Sequence, residues 1–467
     1  MYETTRSRQF AEMQQRIPEH IERLSWSREQ IAEQRDNALR ALLRAAIAGS
    51  PWHRARLSGV DPDTIGSADL ATLPTMTKAD LIENFTDIVT DRRVDTGVVE
   101  RHLAGLGDDD AYLFDEYHVA VSGGSSGIRG VFVFDWESWK TYFLTMFRRI
   151  YRDAATTRPA DAKPPLVVSF ATKHAAHITS SLRQTFGPRD PLPVALSILD
   201  PLADNVTRLN ELQPEVLLTY PSILRLLADQ ASSGSLRIQP AAIISVAEPL
   251  LPDIRTAAEQ AFTSTPIYNW YAASEGGCVA AGCGRTPGMH LSEDVVILEA
   301  VDDQGRPVPP GIRSDKVYLT NLANHLMPII RYELDDQVTL LPADEPCPCG
   351  SRYQRIDDVE GRRRDIFEYG DGILVHALRL YAPLTLDPEV VEFQIRQTPA
   401  GVSVLLCGQQ PDLARITDRL SAELAEAGVP RPEVIVRRVA HIERLGISGK
   451  LPRFIPLATA PAPTQTA

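Results

Sequence analysis

The sequence predicts an α/β protein with two domains: a large N-terminal domain with doubly wound sheets and a small C-terminal α+β domain. Short apolar strands alternate with amphipathic helices between residues 166 and 269. From Val295 the pattern changes to that of antiparallel strands joined by turns. The charged run 361–365 (Gly-Arg-Arg-Arg-Asp) then precedes a last section in which strands and one helix alternate. We therefore expect domains at residues 1–360 and 361–457, followed by a disordered Ala/Pro/Thr-rich tail at 458–467.

The alternating section predicts a parallel sheet, because each apolar run is followed by a stretch long enough for a crossover helix. Two of the helices start at a proline, a residue suited to the first helical turn. Ligands collect at the carboxyl ends of parallel strands, which directs attention to Tyr220, to 247–249 and to 269–275. The predicted strands are 166–170, 215–220, 241–246 and 266–269, and the predicted helices are 136–151, 221–231 and 252–262.

The flanking sections have simpler signals. Residues 7–48 carry apolar side chains at helical spacing among charges, which predicts helix. Thr77 is a candidate N-cap for a short helix that begins at Lys78. In the last section, strands are expected at 390–395, 402–406 and 433–436, with a helix at 411–427.

Composition narrows the class of protein. The chain has 467 residues, 43% hydrophobic, and its net charge of −13 argues against a general nucleic-acid or anionic-membrane partner. No apolar run approaches the ~18 residues of a membrane helix. The N-terminus has no apolar signal core, and five cysteines fit a reducing compartment, so we expect a cytoplasmic protein. The oligomeric state stays open between a monomer and a homodimer.

A glycine- and serine-rich stretch at 122–130 lies between two runs with strand character. Successive N–H groups in such a loop form a concave nest for an anion such as phosphate, and serine adds hydroxyl donors. No Lys-Ser or Lys-Thr follows the last glycine, so this is not a Walker loop. A tight hairpin is the alternative, although it needs only about one or two glycines. The candidate phosphate-binding residues are Ser122, Gly123, Gly124, Ser125, Ser126 and Gly127.

Several stretches, taken in order, resemble the adenylate-forming enzymes and, more closely, the phenylacetate-CoA ligase family. They are the glycine loop, 73–78 (Leu-Pro-Thr-Met-Thr-Lys), 268–277 (Tyr-Asn-Trp-Tyr-Ala-Ala-Ser-Glu-Gly-Gly), 331–336 (Arg-Tyr-Glu-Leu-Asp-Asp), Arg362 and 447–452 (Ile-Ser-Gly-Lys-Leu-Pro). The resemblance spans residues 50 to 453 and implies a two-step reaction. A carboxylic acid, aryl or related, attacks the α-phosphate of ATP to give acyl-AMP, and the thiol of coenzyme A then displaces AMP. Two alternatives stay open: transfer to a carrier-protein thiol or an amine, and a non-catalytic nucleotide-binding homologue.

The resemblance also implies roles for single residues. Glu275 would hold Mg²⁺, and Lys450 would bridge the carboxylate and the α-phosphate as charge develops. Arg129 would add positive charge to the phosphate loop, where many relatives have lysine. Asp336 would accept hydrogen bonds from the ribose with help from Arg362. The remaining nucleotide-site candidates are Asn269 (adenine amino group), Tyr271 (stacking on adenine), Trp270, Ser274, and the opposite wall Ala247, Glu248 and Pro249.

Two departures from the family pattern stand out. Asp335 replaces a common glycine, so a second carboxylate is either solvated or disturbs the turn. Arg364 stands at the hinge position, where many relatives have aspartate. By resemblance, the C-terminal domain is mobile and rotates about this hinge between the two half-reactions.

The acyl pocket and a metal site complete the predictions. By resemblance, His174 and His177 would lie near the substrate carboxylate; the alternative for a histidine there is to cap a helix. Tyr220 would line the pocket. Some phenylacetate-CoA ligases carry a structural zinc in the region of the cysteines, and four N/S ligands satisfy tetrahedral Zn²⁺. The alternative is free cysteines and a surface histidine. The predicted zinc ligands are Cys283, His290, Cys347 and Cys349, with Cys278 as a possible substitute.

Overall fold

The computed structural model describes most of the chain, in two compact units that divide between residues 360 and 361. The described residues are 2–106, 111–121, 130–157, 163–171, 178–187, 193–197, 200–342, 347–359, 361–362, 366–370, 373–380, 383–384, 389–408, 410–444 and 451–457. Within them, no helix combines the length and the apolar character needed to cross a bilayer.

The helices of the first unit are α1 Tyr2–Glu22, α2 Arg28–Gly49, α3 Pro51–Arg56, α4 Lys78–Glu83, α5 Phe85–Ile88, α6 Thr96–Gly105, α7 Trp136–Thr157, α8 Ile178–Phe186, α9 Leu202–Leu212, α10 Pro221–Ser232 and α11 Pro252–Ala261, with 3₁₀ turns at Arg23–Ser25 and Ser67–Thr72. Its strands are β1 His118–Val121, β2 Val131–Phe134, β3 Val167–Ala171, β4 Val194–Ser197, β5 Val216–Thr219, β6 Ala242–Val246, β7 Ile267–Ala273, β8 Gly277–Ala281, β9 Met289–Leu291, β10 Val296–Val301, β11 Lys316–Asn321, β12 Ile329–Leu334, β13 Asp336–Gln337 and β14 Arg355–Ile356.

A large mixed sheet forms the centre of the first unit. Its strand order is β14-β9-β8-β7-β6-β5-β3-β4. The strands from β4 to β7 pair in parallel, so the predicted α/β class is confirmed. At β7 the chain turns back, and β8, β9 and β14 continue the sheet antiparallel. This hairpin extends β7 to Ala273, so most of 269–275 lies within a strand rather than beyond the strand end that the sequence predicts.

Two smaller sheets complete the first unit. Strands β10, β11 and β12 form an antiparallel sheet. Strands β1 and β2 are also antiparallel, with Val121 opposite Val131. They are the two strand runs expected on either side of the glycine loop.

The N-terminal region forms two long helices, where the apolar spacing alone favours one continuous helical stretch. The second helix begins after Ser27, which is its N-cap. The Ser27 side chain accepts a hydrogen bond from the Gln30 backbone N–H, and the Gln30 side chain accepts one from the Ser27 N–H. This capping box starts a new helix at Arg28. The expected cap at Thr77 is confirmed, with Asp80 as its reciprocal partner.

Neighbouring carboxylates, Glu293 and Asp294, tie the N-terminal helices to the large sheet. Asp294 has a fully buried side chain and accepts two hydrogen bonds from Arg148, at 2.7 and 2.9 Å. Arg23 is a second cation beside Asp294, at 3.4 Å. Arg28 and Arg35 pair with Glu293 at 2.8 and 3.2 Å. The chain thus compensates two buried negative charges with four arginines, three of them from the first 35 residues.

The second unit has its own antiparallel and parallel pairings and its own core. Its elements are β15 Gly361–Arg362, β16 Ile366–Tyr369, β17 Ile373–His376, a 3₁₀ turn Ala377–Leu380, β18 Val390–Thr398, β19 Gly401–Gly408, α12 Leu413–Glu426, β20 Glu433–Arg438 and β21 Phe454–Ile455. Four strands form a sheet in the order β20-β19-β18-β21, and α12 packs its apolar side chains into a cluster with them. The expected small α+β module is confirmed.

Candidate functional site

The carboxyl ends of β5, β6 and β7 lie side by side, because the three strands pair in parallel. Tyr220 follows β5 directly and is fully buried, and Ala247 follows β6. Glu248 accepts a hydrogen bond of 3.0 Å from the backbone N–H of Ser222, which fixes the loop after β6 on the first turn of α10. Ala247 has φ +76°, a conformation that costs a non-glycine residue energy and is typical of ligand-binding turns.

Tyr271 and Asp336 are brought into direct contact although 65 residues separate them in sequence. The Tyr271 hydroxyl donates to Asp336 Oδ2 at 2.8 Å. Asp336 is only 6% exposed, whereas Asp335 faces solvent. Of the two alternatives for Asp335, the structure thus supports the solvated carboxylate.

Asn269 lies two residues earlier on the same face of β7. Its side-chain N–H donates to Asp358 Oδ1 at 2.8 Å, and Arg255 of α11 donates to the other oxygen of Asp358 at 2.9 Å. Neither Arg255 nor Asp358 was predicted from the sequence. The one local signal is the Asp357-Asp358 pair just before residue 361, and nothing in it indicates Asn269 as the partner.

Trp270 points to the opposite face of β7, since successive side chains of a strand alternate. Its ring packs edge-on against Phe147 of α7, with centroids 4.9 Å apart. Tyr268 shares this face and donates to Asp153 of α7 at 2.7 Å. The structure therefore groups Asn269 with Tyr271 and places Trp270 in a separate aromatic contact.

Glu275 lies in the tight turn between β7 and β8 and is half-buried. Asn321 holds this turn by donating to the Glu275 carbonyl at 3.0 Å. A methyl group at Gly276 would come within 2.4 Å of a terminal methyl group of the buried Leu319, so a larger residue there would have to displace that side chain. Burial raises the pKa of Tyr142 and of Tyr332 well above the ordinary tyrosine value, and the nearby Glu275 charge adds to both shifts. Ser274 occupies the same turn as Glu275.

Arg331 joins two of the predicted motifs. Its guanidinium binds both oxygens of Glu299, at 2.9 and 3.0 Å, and also donates to the carbonyls of Ala71 and Leu73. Met76 pairs with the following residue, Tyr332, as an isolated bridge. The stretch 73–78 is therefore held against the strand that leads to Asp336.

The predicted metal ligands converge. The ligand atoms of Cys283, His290, Cys347 and Cys349 all lie within 4.8 Å of one another. Cys283 Sγ is 3.7 Å from Cys347 Sγ, and Cys349 Sγ is 3.4 Å from His290 Nε2. Hydrogen bonds from Cys349 and His290 lower the pKa of the Cys283 thiol below its ordinary value. Cys278 is buried outside this group, with its sulfur directed at the Ala280 carbonyl, so it is not a substitute ligand.

The two ring nitrogens of His290 have different neighbours. Its Nδ1 lies 3.4 Å from the Tyr353 carbonyl, which fixes the ring and leaves Nε2 for the cluster. Three thiols and one imidazole are the donor set of a closed tetrahedral zinc site.

The other predicted site residues lie outside the described residues: Ser122, Gly123, Gly124, Ser125, Ser126, Gly127, Arg129, His174, His177, Lys450 and the hinge candidate Arg364. Arg362 is described only as part of the backbone of β15.

Comparison with known proteins gives structural matches only. No family model matches the sequence, and no curated protein matches it either. A crystal structure of 2-hydroxyisobutyryl-CoA ligase in the postadenylation state with 2-HIB-AMP matches with TM-score 0.68 and 18% identity, over 93% of this chain and 91% of that one. The same ligase with 2-HIB-AMP and CoA in the thioesterification state matches with TM-score 0.57 and 18% identity, over 93% and 91%.

A third match is the ATP-bound RpMatB-BxBclM chimera B3, with TM-score 0.50 and 17% identity, over 71% of this chain and 66% of that one. This chain therefore has the two-domain fold of the adenylate-forming enzymes.

Proposed function

We propose that this protein is an AMP-forming acid–thiol ligase similar to the phenylacetate-CoA ligases. It activates a carboxylic acid, aryl or related, with ATP and transfers the acyl group to the thiol of coenzyme A. The contact between Tyr271 and Asp336 is the observation that carries the proposal, because it joins the expected adenine-stacking ring to the expected ribose acceptor at the ligand-binding edge of the sheet. The solved ligase with the same fold holds an acyl-AMP and CoA.

The nucleotide would lie along the edge formed by β6 and β7. Tyr271 stacks on adenine, and the loop 247–249 forms the opposite wall. Asp336 accepts from the ribose hydroxyls, since a carboxylate has about four acceptor positions and Tyr271 uses one. Asn269 accepts from the adenine amino group, and Arg362 assists at the ribose.

The first half-reaction forms a bond between a carboxylate oxygen of the acid and the α-phosphorus, and pyrophosphate leaves with the electron pair of the broken P–O bond. The phosphate loop, Arg129 and Lys450 stabilise the charge that develops on the phosphates. Bound Mg²⁺ neutralises phosphate charge, and Glu275 is its proposed ligand. In the second half-reaction the thiol sulfur attacks the acyl carbon, AMP leaves, and the thiol proton passes to solvent.

His174, His177 and Tyr220 are the proposed neighbours of the acid. Tyr220 lies at the carboxyl end of β5, beside the strand that leads into the loop 247–249. A fully buried aromatic ring at that position favours an apolar or flat acid over a highly charged one.

We further propose that Cys283, His290, Cys347 and Cys349 hold one structural Zn²⁺. The four donor atoms lie close enough to share one ion, and they leave no ligand position for a substrate.

Exchange of labelled pyrophosphate into ATP tests the proposal, measured with a panel of aryl and short-chain carboxylic acids. We expect exchange that depends on Mg²⁺ and on one acid class. Product analysis with coenzyme A, hydroxylamine and candidate amines then identifies the acceptor. Absence of exchange with every acid, in protein that is folded, would favour the non-catalytic homologue.

The Lys450→Ala variant should lose pyrophosphate exchange almost completely, because the ammonium group is expected to act on the charge of the transition state. Its melting temperature should change little. The matched control is Lys163→Ala, which removes an exposed lysine that is not part of any predicted motif. If Lys450→Ala unfolds the protein, Lys450 is structural instead.

A further inference from the structure

We infer that Asp358 and Arg255 set the base specificity of the nucleotide site by fixing the orientation of the Asn269 amide. The inference rests on the proposed function, in which Asn269 meets the adenine amino group. It concerns two positioning residues, which would act on the nucleotide through Asn269.

The chemistry of Asp358 determines which end of the amide faces it. A carboxylate only accepts hydrogen bonds, so it binds the NH₂ end of Asn269 and repels the carbonyl end. The observed bond, 2.8 Å from Asn269 Nδ2 to Asp358 Oδ1, has this orientation. The amide carbonyl is therefore turned away from Asp358. Among the described residues, no hydrogen bond reaches that carbonyl oxygen, although Asn269 is only 4% exposed.

Arg255 fixes Asp358 in turn. Its guanidinium lies 2.9 Å from Asp358 Oδ2, and the two side chains are 13% and 16% exposed. Shielded from water, a charge-assisted bond of this kind holds the carboxylate in one position. A flip of the Asn269 amide would set two acceptor oxygens against each other, which is costly at a buried site.

The fixed orientation discriminates between purines. Adenine carries a 6-amino donor, which suits the Asn269 carbonyl that is turned away from Asp358. Hypoxanthine and guanine carry a 6-oxo acceptor, which would need the opposite amide orientation. With a 6-oxo purine bound, the Asn269 carbonyl would face the 6-oxo group, and both are acceptors. A site with such an unpaired contact binds the 6-oxo purine more weakly than adenine.

The test compares ATP with inosine triphosphate, which replaces the 6-amino group by a 6-oxo group. Equilibrium binding and kcat/KM in pyrophosphate exchange are measured for the wild type, Asp358→Asn and Arg255→Met, with melting temperatures as a check of folding. Asp358→Asn can offer a donor to Asn269 and so permits the flip. We expect the preference of this variant for ATP over inosine triphosphate to fall by about tenfold, which corresponds to the free energy of one hydrogen bond. Inosine triphosphate should bind more tightly to it than to the wild type. Arg255→Met should reduce the preference less.

Glu259→Gln is the matched control, because Glu259 is a second acidic neighbour of Arg255, at 3.8 Å, whereas Asn269 donates to Asp358. It should keep the wild-type preference. If both nucleotides weaken equally in Asp358→Asn, or if the preference is unchanged, Asp358 does not select the base and the inference fails while the proposed function stands. If the wild type binds neither nucleotide, the proposed function and the inference fail together.

Discussion

Alternation along β7 separates two sets of side chains that the sequence presents as one motif. Asn269 and Tyr271 face polar partners from distant parts of the chain, whereas Tyr268 and Trp270 face α7. Tyr268 and Tyr271 therefore have different hydrogen-bond partners, and single substitutions can separate the effects of the two contacts.

Tyr271→Phe should raise the KM for ATP several-fold, because it keeps the ring and removes the hydroxyl that holds the buried Asp336. Steady-state pyrophosphate exchange at varied ATP measures this. Tyr268→Phe is the control: it removes a hydroxyl from the other face of the same strand and should lower the melting temperature without changing the KM. Equal KM values for wild type and Tyr271→Phe would contradict the proposed role of the contact.

A buried histidine gives the protein a pH dependence unrelated to catalysis. Burial lowers the pKa of His53 to about 4, and a hydrogen bond to the Pro328 carbonyl only partly opposes the shift. The unfolded chain therefore takes up a proton below pH 6.5 that the folded chain does not, so stability falls as the pH falls from 6.5 to 4. The loss approaches about 3 kcal/mol at pH 4.

Denaturant unfolding at several pH values checks this expectation. The His53→Gln variant keeps an N–H donor for the Pro328 carbonyl and should show a flatter dependence between pH 6.5 and 4. His441→Gln, at an exposed position, should leave the dependence unchanged. If the free energy of unfolding falls equally with pH in the wild type and in His53→Gln, other titrating groups cause the pH dependence.

At the scale of elements, the hairpin after β7 links the candidate nucleotide site to the candidate metal site. Strand β8 starts at the Glu275 turn, Cys283 follows it, and His290 lies in β9. Cys347 and Cys349 lie in a later turn, with Cys347 64 residues after Cys283. A bound ion would fasten this turn to the end of the hairpin.

We expect purified protein to contain about one zinc ion per chain, since one closed four-ligand site is all that these residues form. Cys347→Ser should lose most of the metal and lower the melting temperature, as should treatment with a strong chelator. Cys407→Ser, which replaces a half-buried cysteine of β19, should keep the metal. Elemental analysis measures the content. Metal-free protein with an unchanged melting temperature would count against the site.

At the scale of the whole molecule, the described residues of the second unit form a hydrophobic core of their own. Phe367, Phe393, Ile395, Val404 and Leu420 are all at most 2% exposed. Every member of this cluster comes from residues 367–454, so the unit has the means to fold by itself.

We therefore expect a fragment of residues 361–457 to unfold cooperatively on heating, followed by circular dichroism. The same fragment with Leu420→Asp should not fold, because a charge would be buried without a partner. A gradual, non-cooperative transition in the unchanged fragment would show that its core depends on the rest of the chain.

Local signals made part of this structure predictable. Pro221 and Thr77 marked helix starts, and the cysteine spacing indicated the ligand cluster. Ser27 and Gln30 also carried a local signal, but the helical spacing on either side obscured it. Strand β4 was missed because four residues after a proline give too short a pattern. Asp358 could not be assigned, since its partner lies 89 residues away and only the folded sheet brings them together.

The pairing of Glu293 and Asp294 with the N-terminal arginines bears on how shortened versions of this protein should be designed. A chain that starts after Arg35 would retain Arg148 for Asp294 but would lose both cations of Glu293, a residue that is 6% exposed. The leftover carboxylate would lie three residues after His290, the candidate metal ligand of β9. Expression trials that trim the first two helices would thus weaken the centre of the molecule, and useful start points lie before Arg23.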